Sequence, residues 1–338
     1  MSLSSLKFLF VLMGSLLLLN PLAGMHRISG GGSVANQDTS SVRSNFHEKM
    51  NRSTGYRAII RNGDGFLAAG SEGRIDWISA SGMIVKSENI AGENFNCLIS
   101  DNQRTIVAGD HGSMLISSEK GTFQKVNSGT EKNINSIALF KGMIIAGTDE
   151  GGVLSGNGKG SFSMSYPAVK GNIVSISARE SDCFGATDEG EIIHTTDGVN
   201  WDVFDFNEVY AGYYKPCSFT KILVTEQQIA VAGIRNDGSP VLMFSNQGNV
   251  WSERTLNYID EQGMQGYLAE LPNDIFYDNS RDLFFLACDK GNVMQIPSCS
   301  HCNKLAQLSS ENLSGISGDG NTLMIVGTHF YSKTINPE

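Results

Sequence analysis

From Phe66 onward the chain repeats one phrase seven times: an apolar, β-rich run ending in Ala-Gly or a close variant, a charged turn, a second apolar run and a polar turn. The copies read FLAAGSEGRIDWIS, TIVAGDHGSMLISS, MIIAGTDEGGVLSG, FGATDEGEIIHTT, IAVAGIRNDGSPVLMFS, LFFLACDKGNVMQI and LMIVGTHFYSKTI. The small residue before each turn falls at Gly70, Gly109, Gly147, Ala186, Gly233, Ala287 and Gly327, at intervals of 39, 38, 39, 47, 54 and 40 residues. A period near 40 residues with four short strands per unit is the pattern of a β-propeller, and seven anchors make seven blades. The expected fold is all-β, a seven-bladed β-propeller with four-stranded antiparallel blades. Composition agrees, since 38 Gly against 7 Pro suit many tight turns, and Gly is costly inside helices. No apolar periodicity of helix length interrupts the series, so doubly wound and helical architectures have nothing to build with.

In the second copy the strands are expected near 96–100, 105–108, 113–117 and 122–126. The last copy ends soon after its third strand, so a strand at about 41–50 is expected to complete that blade and close the ring. Residues 51–338 then form the propeller and 25–50 a flexible leader with the closing strand. Residues 1–24 are an address: Lys7 precedes a twelve-residue apolar run, followed by Asn20, Pro21, Ala23 and Gly24, the layout of a cleaved secretory signal peptide. The run is short for a bilayer core, which takes ~20 residues. The chain is therefore expected to be secreted, extracellular or periplasmic, a monomer with no stable membrane span after cleavage. A formal charge of −10 with no basic block excludes nucleic acid as a partner.

Propeller geometry brings the turns between second and third strands onto one face, together with the connections between blades. Those turns hold Glu72, Asp110, His111, Asp149, Glu150, Asp188, Glu189, Asp237 and Asp289, eight acids against Arg74, Arg235 and Lys290. A negative ring around the channel mouth is expected to attract cations or basic partners, although each Asp-Glu-Gly or Asp-Lys-Gly is also an ordinary solvated turn. The two long intervals add Tyr210, Tyr213, Tyr214, Tyr258 and Tyr267 to that face, beside blades 4 to 6. Aromatics beside carboxylates suit a sugar ring or a basic peptide, so the expected partner is a protein or a glycan bound by a non-catalytic scaffold. The alternative is an extracellular glycan hydrolase or lyase using two carboxylates of the ring as acid and base.

Cys299-Ser300-His301-Cys302 has three competing uses, and a turn-locking disulfide between Cys299 and Cys302 is preferred. Zinc would need two further ligands, while Cys97, Cys183 and Cys288 lie in strand patterns where buried thiols are usual. A redox site would need a helix after the pair. The histidines show no His-x-x-x-His spacing, and no nucleotide loop or nucleophile elbow occurs, so neither a metal nor a cofactor is expected. Asn51-Arg52-Ser53 and Asn312-Leu313-Ser314 fit the N-glycosylation acceptor.

Blade 4 carries His194-Thr195-Thr196-Asp197-Gly198-Val199-Asn200-Trp201 and blade 5 Ser245-Asn246-Gln247-Gly248-Asn249-Val250-Trp251 at the turn between third and fourth strands. These resemble the Asp-box turns of BNR-type propellers, a group that includes sialidase-like, sortilin-like and photosystem II assembly-factor-like proteins. The resemblance implies structural turns: Asp197 accepting backbone N–H groups, Gly198 and Gly248 at positive φ, Ser245 in the Ser/Thr position of the second turn, Trp201 and Trp251 packing between sheets. Sialidases of this type would be six-bladed and need three arginines on a carboxylate. Arg57, Arg61, Arg74, Arg104, Arg179, Arg235, Arg254 and Arg281 occupy no such setting in the repeats.

Overall fold

The computed structural model describes residues 53–90, 92–101, 103–117, 121–259, 263–297, 302–319 and 321–337. The first sheet is β1 (Tyr56–Asn62), β2 (Gly65–Gly70), β3 (Arg74–Ile78) and β4 (Ile84–Asn89). The second is β5 (Phe95–Ser100), β6 (Thr105–Gly109), β7 (Met114–Ser117) and β8 (Phe123–Lys125). The third is β9 (Ile134–Phe140), β10 (Met143–Thr148), β11 (Val153–Gly156) and β12 (Ser163–Ser165). The fourth is β13 (Ile173–Ala178), β14 (Cys183–Thr187), β15 (Glu191–Thr195) and β16 (Asp202–Asp205). A one-turn helix α1 (Phe206–Val209) leads to the fifth: β17 (Cys217–Val224), β18 (Ile229–Arg235), β19 (Pro240–Ser245) and β20 (Ser252–Glu253). A hairpin of β21 (Asn257–Ile259) and β22 (Gln265–Tyr267) precedes the sixth: β23 (Pro272–Asp278), β24 (Leu283–Cys288), β25 (Asn292–Pro297) and β26 (Cys302–Gln307). The last comprises β27 (Leu313–Gly318), β28 (Leu323–Gly327) and β29 (Ser332–Ile335).

The innermost strands β1, β5, β9, β13, β17, β23 and β27 each neighbour the next, and β27 returns to β1. The result is a closed seven-bladed β-propeller, as the repeat predicted. Among the described residues the last blade shows three strands; the expected closing strand at 41–50 lies outside them, as do the leader and signal segment.

The core is divided among the seven blade interfaces. Leu67, Ala69 and Ile75 of the first blade pack on Phe95, Leu98 and Val107 of the second. Phe66, Ala68 and Ile78 point the other way, onto Met324 and Val326 of the last. Alternate residues of β2 therefore face opposite neighbours, and both faces are buried. This explains why the second strand of each copy reads as an unbroken apolar run rather than an alternating one.

The expected position of the second long insertion is corrected. Instead of looping over the channel face, it folds as β21–β22, which joins the outer edge of blade 6 through parallel pairing of Tyr258 with Cys302 and Ile259 with Asn303. The first insertion forms α1, whose start is written in Asp205-Phe206-Asn207-Glu208: the Asp205 Oδ1 acceptor caps the Glu208 N–H at 2.9 Å.

Candidate functional site at the channel mouth

Every blade carries a β-bulge in its innermost strand, at the second residue in six of them and at the fourth in β17, where register with the next strand shifts. A bulged residue is released from the ladder and its side chain is re-aimed. The seven are Arg57, Asn96, Asn135, Val174, Thr220, Asn273 and Ser314, and all line the central channel. Six of the seven are polar. Two residues further along each strand, Ile59, Leu98, Ile137, Ile176, Ile222, Ile275 and Ile316 form an aliphatic collar, every member buried.

The bulge side chains also staple blade to blade. Asn96 Nδ2 donates to Ile134 O at 3.1 Å, Asn135 Nδ2 to Ile173 O at 3.2 Å and Thr220 Oγ1 to Pro272 O at 2.7 Å. Asn273 Nδ2 donates to Leu313 O at 2.8 Å, and Ser314 Oγ to Tyr56 O at 2.6 Å across the ring closure. Val174 has no donor to offer, and at that junction Ser175 Oγ donates to Ile222 O at 3.3 Å.

The acids expected to form a negative ring are largely built into the same framework. Asp110 accepts from Asn94 Nδ2 at 2.7 Å and Asn96 Nδ2 at 2.9 Å. Asp149 accepts from Asn133 and Asn135, both at 2.9 Å. Asp188 accepts from Asn172 Nδ2 at 2.8 Å and Asp289 from Asn273 Nδ2 at 2.8 Å. Of the remaining acids, Glu150 pairs with Lys132, and Asp237 with Lys215 Nζ at 2.5 Å, which with Ser239 holds its carboxyl well below the usual range. Glu189 lies in the turn between β14 and β15, where Asn207 Nδ2 donates to its backbone carbonyl at 2.9 Å. Arg57, Lys132 and Lys215 offset the charge of Asp110, Glu150 and Asp237, whereas the asparagine donors fix a carboxylate without cancelling its charge, so the rim stays acidic but weaker than eight uncompensated acids would make it. Composition could not reveal this. The readable signal was Asn-x-Asn beginning 16 residues before the turn acid in the second and third copies, with one Asn kept in the fourth and sixth.

The tyrosines separate. Tyr210 and Tyr214 pack into the core of blades 4 and 5 against Phe206, with ring centroids at 4.8 and 5.9 Å, and Tyr210 Oη accepts the Trp251 N–H at 3.0 Å. These two are structural. Tyr258 and Tyr267 sit on the outer-edge hairpin, away from the channel strands. Tyr213, at 84% exposure, is the one member left on the first insertion as accessible surface.

The Asp-box-like turns have the expected local physics. Asp197 Oδ1 accepts the Val199 and Asn200 N–H groups, each at 2.8 Å, and those donors hold its carboxyl far below the ordinary carboxylate range. Gly198 and Gly248 take φ of 78° and 81°, and a Cβ at either would lie 2.5 Å from Met143 or Phe184 of the preceding blade. Gly248 N donates to Ser245 Oγ at 2.8 Å; Trp201 and Trp251 pack at the interfaces of blades 3–4 and 4–5.

Cys302 is a free thiol, buried, donating to Thr255 O at 3.3 Å. Cys299, its expected disulfide partner, lies outside the described residues. Cys97, Cys183, Cys217 and Cys288 are likewise buried, and burial pushes the Cys97 thiol up to about 12. Among the described residues no group of three or more His, Cys, Asp and Glu side chains is placed to hold a metal, and no helix is long and apolar enough to cross a membrane. Asn312 Oδ1 accepts the Lys290 N–H at 3.2 Å, so its amide serves the turn framework.

Two turn tips carry histidine. His111 Nδ1 lies 2.8 Å from Glu93 Oε2, and His329 Nδ1 lies 2.7 Å from Glu311 Oε2. The hydrogen bond that protonated His111 donates to Glu93, then the charge of Glu93, raises the His111 pKa above 6.5. A raised folded value means the pair contributes fully below the unfolded pKa and fades as pH rises through the folded one. NMR titration is expected to place the His111 midpoint above 6.5 and to return it toward that value in Glu93→Gln. An unchanged midpoint would show that the pair does not form in solution.

Sheet number, closure and bulge ring together define the class as a seven-bladed β-propeller. No protein-family model matches the chain, and no curated protein matches it. Among solved structures, the computationally designed Ika8 protein is similar with a TM-score of 0.59 at 7% identity, over 84% of this chain and 97% of that one. The Pan2 WD40 domain of Neurospora crassa is similar with a TM-score of 0.64 at 9% identity, over 83% and 88%. At such identities the likeness is one of fold alone.

Proposed function

We propose that this chain is an exported, non-catalytic propeller that binds a protein or glycan partner through the rim of its channel mouth. We also propose that it is a divergent relative of Asp-box propellers, on the strength of the Thr195–Asp197–Gly198 turn geometry. Glu72, His111, Glu150, Lys290 and His329 all sit at turn tips with φ between 52° and 62°. That observation carries the binding reading. L-residues pay roughly 1 kcal/mol for this region and Gly does not, so five blades keep a long polar side chain where Gly would be cheaper. Such strain gathers where side chains are used. Tyr213 extends the same rim beside blade 5 and keeps its place in the proposed surface. The glycan hydrolase or lyase alternative is disfavoured, because Asp110, Asp149, Asp188 and Asp289 are bound as acceptors by the asparagine framework.

Replacing Glu72, His111, Glu150 and Lys290 together by Gly, with Tyr213→Ala, separates binding from folding. The variant is expected to melt at or above the parent's temperature yet lose its partner in glycan-array and cross-linking capture run beside the parent. Retained binding would overturn the rim assignment.

A further inference from the structure

We propose that the channel itself is a second site, which takes one small uncharged polyhydroxylated molecule, a monosaccharide or cyclic polyol, between the bulge ring and the aliphatic collar. This goes beyond the rim reading, since none of the rim tips lines the cavity. The space is about 250 Å³, just under the roughly 300–1,000 Å³ of pockets that hold drug-sized ligands. It suits a single sugar rather than a chain.

The charge balance excludes ionic ligands. Arg57 lies 3.7 Å from Asp110 Oδ1 and also donates to Asn96, and Lys221 Nζ lies 2.8 Å from Asp274 Oδ1. An anion or a cation entering would have to break one of these pairs. What remains on the ring is carboxamide and hydroxyl oxygen, since the amide and hydroxyl hydrogens are already donated within the framework, and such neutral acceptors suit the O–H donors of a sugar. One acceptor is unused: Asn273 is only 8% exposed, and with its Nδ2 spent on Asp289 and Leu313, its Oδ1 receives no hydrogen bond. A buried acceptor of this kind is costly unless something donates to it. The collar below supplies an apolar surface for the C–H face of a ring.

The test is calorimetry and saturation-transfer NMR on the full chain with neutral hexoses, N-acetylhexosamines and inositol, using an amino sugar and a carboxylated sugar as charged controls. One or more neutral members should bind saturably at one site, with Kd in the range of about 10 μM to 1 mM, and the charged controls should not. Val174→Phe, at the bulge position that donates no hydrogen bond, narrows the channel and should weaken binding by about tenfold or more in a protein whose melt shows it folded. Asn273→Ser, followed by the same melt, should do likewise. The rim variant should still bind the sugar, so failure of the rim reading and failure of this one give different results. An oligosaccharide ending in the best sugar is run alongside: binding of free sugar only, or of both, supports the site and names the source. No binding by any neutral member up to about 10 mM, or binding unchanged in Val174→Phe, would overturn the proposal and leave a channel holding water.

Discussion

Asp76→Ala is expected to destabilise the propeller by about 3–5 kcal/mol, the usual result of removing one partner from a buried charge pair. The Asp76 carboxylate is fully buried. It accepts hydrogen bonds from Tyr56 Oη and Ser87 Oγ, and from Arg74 Nε at 2.9 Å. Arg74 in turn lies 4.3 Å over the ring of Phe330, and Tyr56 meets Phe330 edge-on at 5.2 Å. Phe330 belongs to the last blade, so this network spans the junction where the ring closes, beside the Ser314 bond to Tyr56 that links residues 258 apart in sequence. Contacts of such separation carry the largest loop-closure cost, and losing them opens the circle rather than loosening one sheet. Burial, then the bond to Asp76, pushes the Tyr56 pKa up, which keeps its hydroxyl a donor across the physiological range. Urea denaturation measures the loss. Asp76→Asn, which keeps one acceptor oxygen, should fall between parent and Ala, and an Ala variant within about 1 kcal/mol of the parent would remove this network from the account of ring closure.

The blade number was legible because each second strand must be apolar on two faces, and that requirement writes a seven-fold phrase into the chain. The anchors aligned on that phrase were displaced by one residue in three blades. Pairing across the bulge matches Gly70, Gly109, Gly233 and Gly327 with Thr148, Thr187 and Cys288, not with Gly147, Ala186 and Ala287. A bulge inserts one unpaired residue without marking it in hydrophobicity, so composition and period pass over it. The same blindness hid the polar ring, whose members differ in type although they share a position. The tyrosines failed for another reason: Tyr210 and Tyr214 follow a helical spacing across a single turn, too short for periodicity to show which side is buried. The hairpin at 257–267 did carry alternation and a Gly-containing turn, but nothing local tells a hairpin to lie on the outer edge of a later strand.

If the asparagine framework holds adjacent blades together, Asn135→Leu should cost about 2–4 kcal/mol, from one hydrogen bond to a charged group and one to a neutral carbonyl. Leucine keeps the volume of the side chain but leaves Asp149 Oδ1 without its 2.9 Å donor and Ile173 O without its 3.2 Å donor. Asn133 still holds Asp149 Oδ2, so the turn between β10 and β11 should survive while the interface of blades 3 and 4 weakens. Val174 provides the internal control. It occupies the same bulge one blade later and donates nothing, so Val174→Ala should lose only buried methyl area, about 1 kcal/mol. Equal losses in the two variants, compared by urea midpoint at constant slope, would mean that the ring stabilises through packing alone. A loss in Asn135→Leu at least twice that of Val174→Ala would assign the difference to the hydrogen bonds. Because Asn96 and Asn273 make the corresponding pair of bonds at their own junctions, they should show losses of similar size. The polar lining of the channel would then be what joins the blades to one another.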